Sequence, residues 1–135
     1  MSKTSGYIYG INGPVVKVKG SDSFGMQELV YVGNERLIGE VIGIKADTTI
    51  VQVYEETTGL KTGEPVIGYG EPICVTLAPG IIGNIFDGIE RPLSVIKEKS
   101  GAFIGRGIEV TSLDEQKKWN VTVNVNVGDS VSEGD

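Results

Sequence analysis

The sequence offers few groups able to do chemistry, and their spacing decides what each can do. It contains no histidine. That removes the commonest general base, the Ser–His and Cys–His nucleophile systems and the usual zinc ligand. Glu55 and Glu56 are adjacent, but neighbours on a strand point to opposite faces and cannot flank one substrate as acid and base. They read as a solvated strand end. Asp129, Glu133 and Asp135 look like a loose calcium loop, yet the spacing and central glycine of such a loop are missing, so a surface turn is expected. A phosphate-binding loop needs Gly, four residues, then Gly-Lys-Ser/Thr, so that amides and a lysine cradle the phosphates. No Gly-Lys dipeptide occurs. The Gly-x-Gly pieces at 68–70 and 105–107 lack the rest of a dinucleotide fingerprint and read as turns or strand kinks. No residue is therefore assigned a catalytic, cofactor-binding or metal-binding role. Arg91 and Arg106 stand apart, each beside a glycine or proline in a region linking two folded parts. Such an arginine either pairs with a carboxylate across a domain boundary or forms an exposed salt bridge of little consequence.

The elements that must carry these residues are bounded by composition. At 135 residues the chain can bury a core, and 39% hydrophobic with 22% charged residues is ordinary for a globular protein. Twenty glycines against five prolines point to many tight turns between short strands. The net charge of −6 argues against nucleic-acid binding, which needs a basic surface. Cys74 is the only cysteine, so no intrachain disulfide is possible; it lies in an apolar stretch and reads as a buried small hydrophobe. No apolar run approaches the ~20 residues of a membrane helix, and the N-terminus lacks a signal peptide's apolar core. A cytoplasmic chain without direct membrane insertion is expected.

Residues 7–20 alternate apolar and polar around a bend at Asn12, Gly13 and Pro14. Two further strands bracket Asn34-Glu35 as a hairpin, and residues 48–55 follow after Ala46-Asp47. In the last of these, Ile50, Gln52 and Tyr54 should share one face, with Val51 and Val53 on the other. Residues 57–66 read as turn chemistry, and residues 71–77 as a last short strand. Five or six short strands so closely spaced suggest a small barrel over about 5–77. Next, Ile81, Ile82, Ile85, Phe86 and Ile89 recur at helical spacing, with Pro79 placed to start a short helix and Gly88 to end it. Residues 93–101 read as a polar linker. Trp119 opens the cleanest strand signal, in which Val121, Val123, Val125 and Val127 face one side; it is expected to pack at a core or an edge. Gly-Asp pairs at 128–129 and 134–135 then signal turns. A turn with nothing after it suggests a piece of a longer protein.

Three ordered blocks carry a resemblance: QVYEETTGLKTGEPV, LAPGIIGNIFDGIERPL and FIGRGIEV, joined by GPVV and GEVIGI nearer the start. Together they resemble the N-terminal part of the catalytic subunit of the rotary V-type and archaeal or bacterial A-type ATPases. The resemblance runs from about Tyr7 to the end of the chain. It implies a mainly β fold: an N-terminal six-stranded β-barrel over 1–77, a short helical junction over 78–100 leading towards a nucleotide-binding domain, and over 101–135 the start of a second β-rich unit, the bulge insertion. The P-loop and the acidic residue that activates water lie after that insertion in the family. No catalytic residue is carried over, and MgATP belongs to the parent protein.

The resemblance further implies three A and three B subunits alternating in a ring, the A subunits being the catalytic ones, with the barrels as a crown away from the membrane. The expected role of this chain is therefore ring assembly within an ATP-driven H+ or Na+ pump or ATP synthase, with no ATP hydrolysis of its own. The alternative is a free-standing β-barrel module that binds a ligand or partner protein. Without later partner strands, the valine-rich strand should also make the chain self-associate.

Overall fold

The computed structural model describes residues 4–20 and 24–133. Six strands form: β1 (Thr4–Asn12), β2 (Val15–Lys19), β3 (Glu28–Val32), β4 (Leu37–Lys45), β5 (Thr48–Val53) and β6 (Pro65–Pro72). They close into an antiparallel barrel in the order β1-β2-β5-β4-β3-β6. Period-2 alternation fills it. Ile8, Val16, Val18, Val30, Val32, Leu37, Val41, Val51, Val53 and Val66 point inward with Phe24 as one buried cluster. Each such side chain contributes roughly 1.5–3 kcal/mol by leaving water. β-Branched residues dominate because they suit a pleated, half-buried surface. In β5 the valines face in, while Gln52 and, just past the strand, Tyr54 are exposed, as the alternation requires.

The turns are those the sequence signals. Gly13 and Pro14 join β1 to β2, and Ala46 and Asp47 join β4 to β5. Residues 33–36 join β3 to β4; Gly33 takes φ +76°, and a Cβ there would run into Leu60 Cδ2. Bulges interrupt β1 between Ile8 and Gly10 and β4 between Val41 and Gly43. Both add a residue on the outer face and bend the strand enough for closure. At one end of the barrel Glu28 is 3% exposed. Its carboxylate accepts hydrogen bonds from Thr4 Oγ1 (3.0 Å), the Gly70 amide (2.8 Å) and the Gly25 amide (2.6 Å). It thereby ties β1, β6 and the β2–β3 connection together.

The last barrel strand is β6, not residues 71–77. The turn-rich stretch yields to pairing at Pro65, and the GYG piece lies inside the strand, where Gly68 has no room for a side chain beside Glu28. Past Pro72 the chain is irregular and Cys74 is exposed rather than buried. The expected helix over the isoleucine stripe is reduced to a single 3-10 turn, Pro79–Ile81. Gly83 adopts φ +84°, which no helix continues through, and Ile82 and Ile85 are left exposed. The helix forms one step later: α1 (Leu93–Ser100) occupies the expected linker. Pro92 caps its start without sacrificing a helical donor, Ile96 is its buried anchor, and Gly101 at φ +77° ends it with its amide on Lys97 O (2.9 Å).

The second β-rich unit expected over 101–135 does not form among the described residues 101–133, which contain no strand. The physical reason is the closed barrel. It leaves no edge, so residues 119–127 find no neighbour to pair with, and Val121, Val123, Val125 and Val127 are all exposed. Trp119 is 43% exposed, against Gly80, with Lys117 Nζ 4.3 Å from its ring centroid. Asp129 does stand in a turn, its Oδ2 accepting from the Asn126 amide at 2.7 Å. The Gly134-Asp135 pair lies outside the described residues.

Candidate functional site

The polar groups converge where the segment after the barrel meets the end of β5. Arg91 is the centre. Pro92 and the bridge from Phe86 to Pro92 hold the 86–92 loop as a tight hairpin, and Leu93 N donates to Ile85 O (2.9 Å). Inside that loop Asp87 folds back on the chain. Its Oδ1 accepts from the amides of Ile89 (3.1 Å) and Arg91 (2.9 Å), and its Oδ2 receives Arg91 Nε at 2.7 Å. The other arm of the guanidinium reaches the barrel: Arg91 Nη1 donates to Glu55 Oε2 at 3.1 Å. Glu55 also accepts from the amides of Gly107 (3.0 Å) and Ile38 (3.3 Å). The Arg91 and Glu55 side chains are only 8% and 6% exposed.

Burial alone would pull the Arg91 guanidinium down, but Asp87 and Glu55 raise it above its ordinary value, so it stays charged. For Asp87, burial alone would push the carboxyl up. The two amides and the guanidinium outweigh this and hold it below the ordinary carboxylate value. A buried guanidinium between two carboxylates, each with amide donors besides, is a satisfied network. Its chemistry is that of a clamp.

Two outer contacts repeat the pattern. Arg106 donates to the carbonyl of Thr58 and to Glu35 Oε1 (3.2 Å), bridging the β5–β6 and β3–β4 connections. Arg36, stacked 4.4 Å from the Tyr31 ring centroid, holds Glu109 Oε1 at 2.8 Å. Lys99 of α1 donates to Glu109 O at 3.0 Å. Both arginines singled out in the sequence therefore cross from the later segment to the barrel, and the buried one is Arg91. Glu55 is not a solvated strand end, since it is the barrel's half of the clamp; Glu56 is exposed, as expected. Sequence reasoning misses Asp87, Glu35 and Glu109. The one available signal for Asp87 is its i, i+4 spacing from Arg91.

A cleft of about 460 Å³ opens between the 3-10 turn and residues 110–119, with Leu113 and Trp119 among its walls. Among the described residues no group of three or more Cys, Asp or Glu could hold a metal ion. Nor is any helix among them long and apolar enough to cross a membrane.

The β-barrel domain of the ATP synthase alpha/beta family matches residues 8–70. The V-type ATP synthase alpha chain of Halothermothrix orenii is 58% identical over 129 residues, covering 96% of this chain and 22% of the relative. V-type ATP synthase alpha chain 2 of Clostridium tetani is 52% identical over 130 residues, again 96% of this chain and 22% of the relative. A V-type ATP synthase alpha chain of Clostridium botulinum is 49% identical over all 135 residues, 23% of its length. The chain thus spans under a quarter of the length of the curated relatives it matches. It is homologous to the N-terminal region, β-barrel domain included, of the V-type ATP synthase alpha chains.

Proposed function

We propose that this chain serves as the barrel-bearing N-terminal region of the ATP-hydrolysing, catalytic subunit of a V/A-type rotary ATPase, and that its own work is assembly. The observation that carries the reading is 58% identity across 96% of the chain to a V-type ATP synthase alpha chain. The division is barrel over 1–77, junction over 78–100 and the start of a β-rich insertion over 101–135. In that reading MgATP binds in the parent's later domain, B subunits flank the barrel in a ring, and the whole sits peripheral to a membrane as part of an H+- or Na+-translocating complex. The clamp supports the junction role, because Arg91 and Arg106 tie the departing chain to the barrel end through ion pairs and carbonyls. The valine-rich residues 119–127 then pair with strands supplied downstream in the parent. In their absence, a second copy supplies the pairing and the chain self-associates.

Reading the gene past codon 135 tests the assignment. An in-frame Gly-x4-Gly-Lys-Ser/Thr loop is expected, whereas a stop codon would overturn it in favour of a free-standing β-barrel module. Purified, the 135-residue chain should release no phosphate from MgATP above a buffer blank; sustained turnover would refute the assembly role.

A further inference from the structure

Among the described residues, the later segment covers one side of the barrel's outer surface. Tyr31, Arg36 and Ile38, on β3, β4 and their connection, face Ile89, Ile108 and Val110 of the later segment across a shared groove. On the flank formed by β1, β2, β5 and β4, none of the described residues of the later segment lines such a groove. Strand register sets the flank's outer row. Gly10 pairs with Lys17, Lys17 with Ile50, and Ile50 with Gly43. The two bulges add Tyr9 and Ile42 to the same row, and these are 57% and 44% exposed. One step along, Tyr7 pairs with Lys19 and Thr48 with Lys45. The solvent side of an antiparallel sheet is normally polar. Here tyrosines and isoleucines alternate with lysines whose stems add apolar area.

The charge on this flank is opposite to that of the chain. Among the described residues, Lys17, Lys19 and Lys45 stand against one carboxylate in these rows, Asp47, which is taken up by Lys19 at 3.2 Å. Glu40, in the next row, is held by the Tyr54 hydroxyl. The protein as a whole carries −6. Two copies meeting face to face here would oppose lysine to lysine, so the surface selects against itself. Apolar centres with exposed lysines fit a different face, one that sets carboxylates around apolar side chains.

We infer that the Tyr9–Lys17–Ile50–Ile42 flank is the surface on which a neighbouring, acid-lined protein docks. The inference rests on the assembly reading and adds to it which face of the barrel is used and what chemistry recognises it. The apolar row supplies burial, and Lys17 and Lys45 supply orientation and salt dependence.

The test mixes the 135-residue chain with the purified B subunit of the same enzyme and measures the dissociation constant by sedimentation at low and high salt. For Lys17→Glu/Lys45→Glu, binding should weaken at least about tenfold, and salt should weaken the unsubstituted chain far more than the variant. Tyr9→Ala should weaken binding at both salt concentrations, and Lys61→Glu, outside the flank, should not. All these positions are exposed, and thermal melts within a few degrees of the parent verify folding. If the unsubstituted chain binds and the flank variants bind equally well, the flank is overturned while the assembly reading stands. If the unsubstituted chain does not bind at all, both fall. Binding to phosphatidylserine vesicles that the lysine variants lose would overturn a protein partner in favour of a lipid surface.

Discussion

Arg91→Ala is the sharpest perturbation of the clamp. The substitution removes a guanidinium that is almost wholly buried between Glu55 Oε2 at 3.1 Å and Asp87 Oδ2 at 2.7 Å. Removing one partner of a buried ion pair ordinarily costs about 3–5 kcal/mol, because the remaining charge is left uncompensated. Here the carboxylates keep other donors: Glu55 the amides of Gly107 and Ile38, Asp87 those of Ile89 and residue 91. That places the loss at the low end, about 3 kcal/mol. In a chain of this size that corresponds to roughly 12 °C in Tm, if the later segment and the barrel unfold as one unit. Urea unfolding should be followed by far-UV circular dichroism, which reports the barrel, and by fluorescence of Trp119, which lies against Gly80 outside it. Separation of the two transitions in the variant would mean that the segment undocks first. Arg91→Lys should fall between variant and parent, since an ammonium keeps the charge but not the two-armed fork. The pH dependence has a definite sign. Asp87 is held below its ordinary value of 3.8 in the folded chain, so its contribution is complete above that value and is lost as pH falls through the depressed one. The variant should lose the guanidinium's share of this acid-dependent loss and keep the share of the two amides. A cost under about 1 kcal/mol, with both probes coincident, would refute the clamp and reduce Arg91 to an ordinary surface pair.

Two further outcomes follow from the same contacts. Glu28→Gln replaces one acceptor oxygen by a donor amide and must forsake either Gly25 or the Thr4 and Gly70 pair. A loss of about 2 kcal/mol is expected from equilibrium urea unfolding, and an unchanged midpoint would refute the staple. Val123→Lys, placed at the middle of the exposed valine row, should shift the chain from associated species to monomer in multi-angle light scattering at high concentration. A monomeric unsubstituted chain would remove the basis for self-association through this segment.

The barrel was legible because its signals are local. Alternation around Val51 and Val53, the Gly13-Pro14 bend and the Ala46-Asp47 hairpin are each decided within a few residues, whereas full closure is a finding of the structure. The segment after Pro72 was not legible, for two opposite reasons. The stripe from Ile81 to Ile89 has helical spacing, but Gly83 at φ +84° breaks the backbone that would use it. Leu93–Ser100 is polar enough to pass for a linker, yet one buried residue, Ile96, and good ends suffice for two turns of helix. Residues 119–127 show the limit of pattern from the other side. Their alternation is the cleanest in the chain, but a strand is made by its neighbour, and the barrel has no free edge to offer. Arg91 and Arg106 could be singled out in the sequence as boundary arginines. Their partners could not, because Glu55 and Glu35 lie 36 and 71 residues away and only the fold brings them close.

Barrel and later segment are held by different physics, so different conditions loosen them. Within the barrel, eleven apolar side chains form one buried cluster. Beyond it, among the described residues, Pro92 and Ile96 are the buried apolar residues. Docking of residues 86–109 therefore depends on ion pairs and hydrogen bonds far more than on apolar burial. The outer pairs, Arg36–Glu109 and Arg106–Glu35, are a third or more exposed on each side and are screened by salt. The Arg91 clamp is out of water and is screened much less. Salt should thus loosen the rim of the docked segment while the 86–92 loop stays in place. Acid, acting through Asp87, should release the loop itself while the apolar cluster inside the barrel persists.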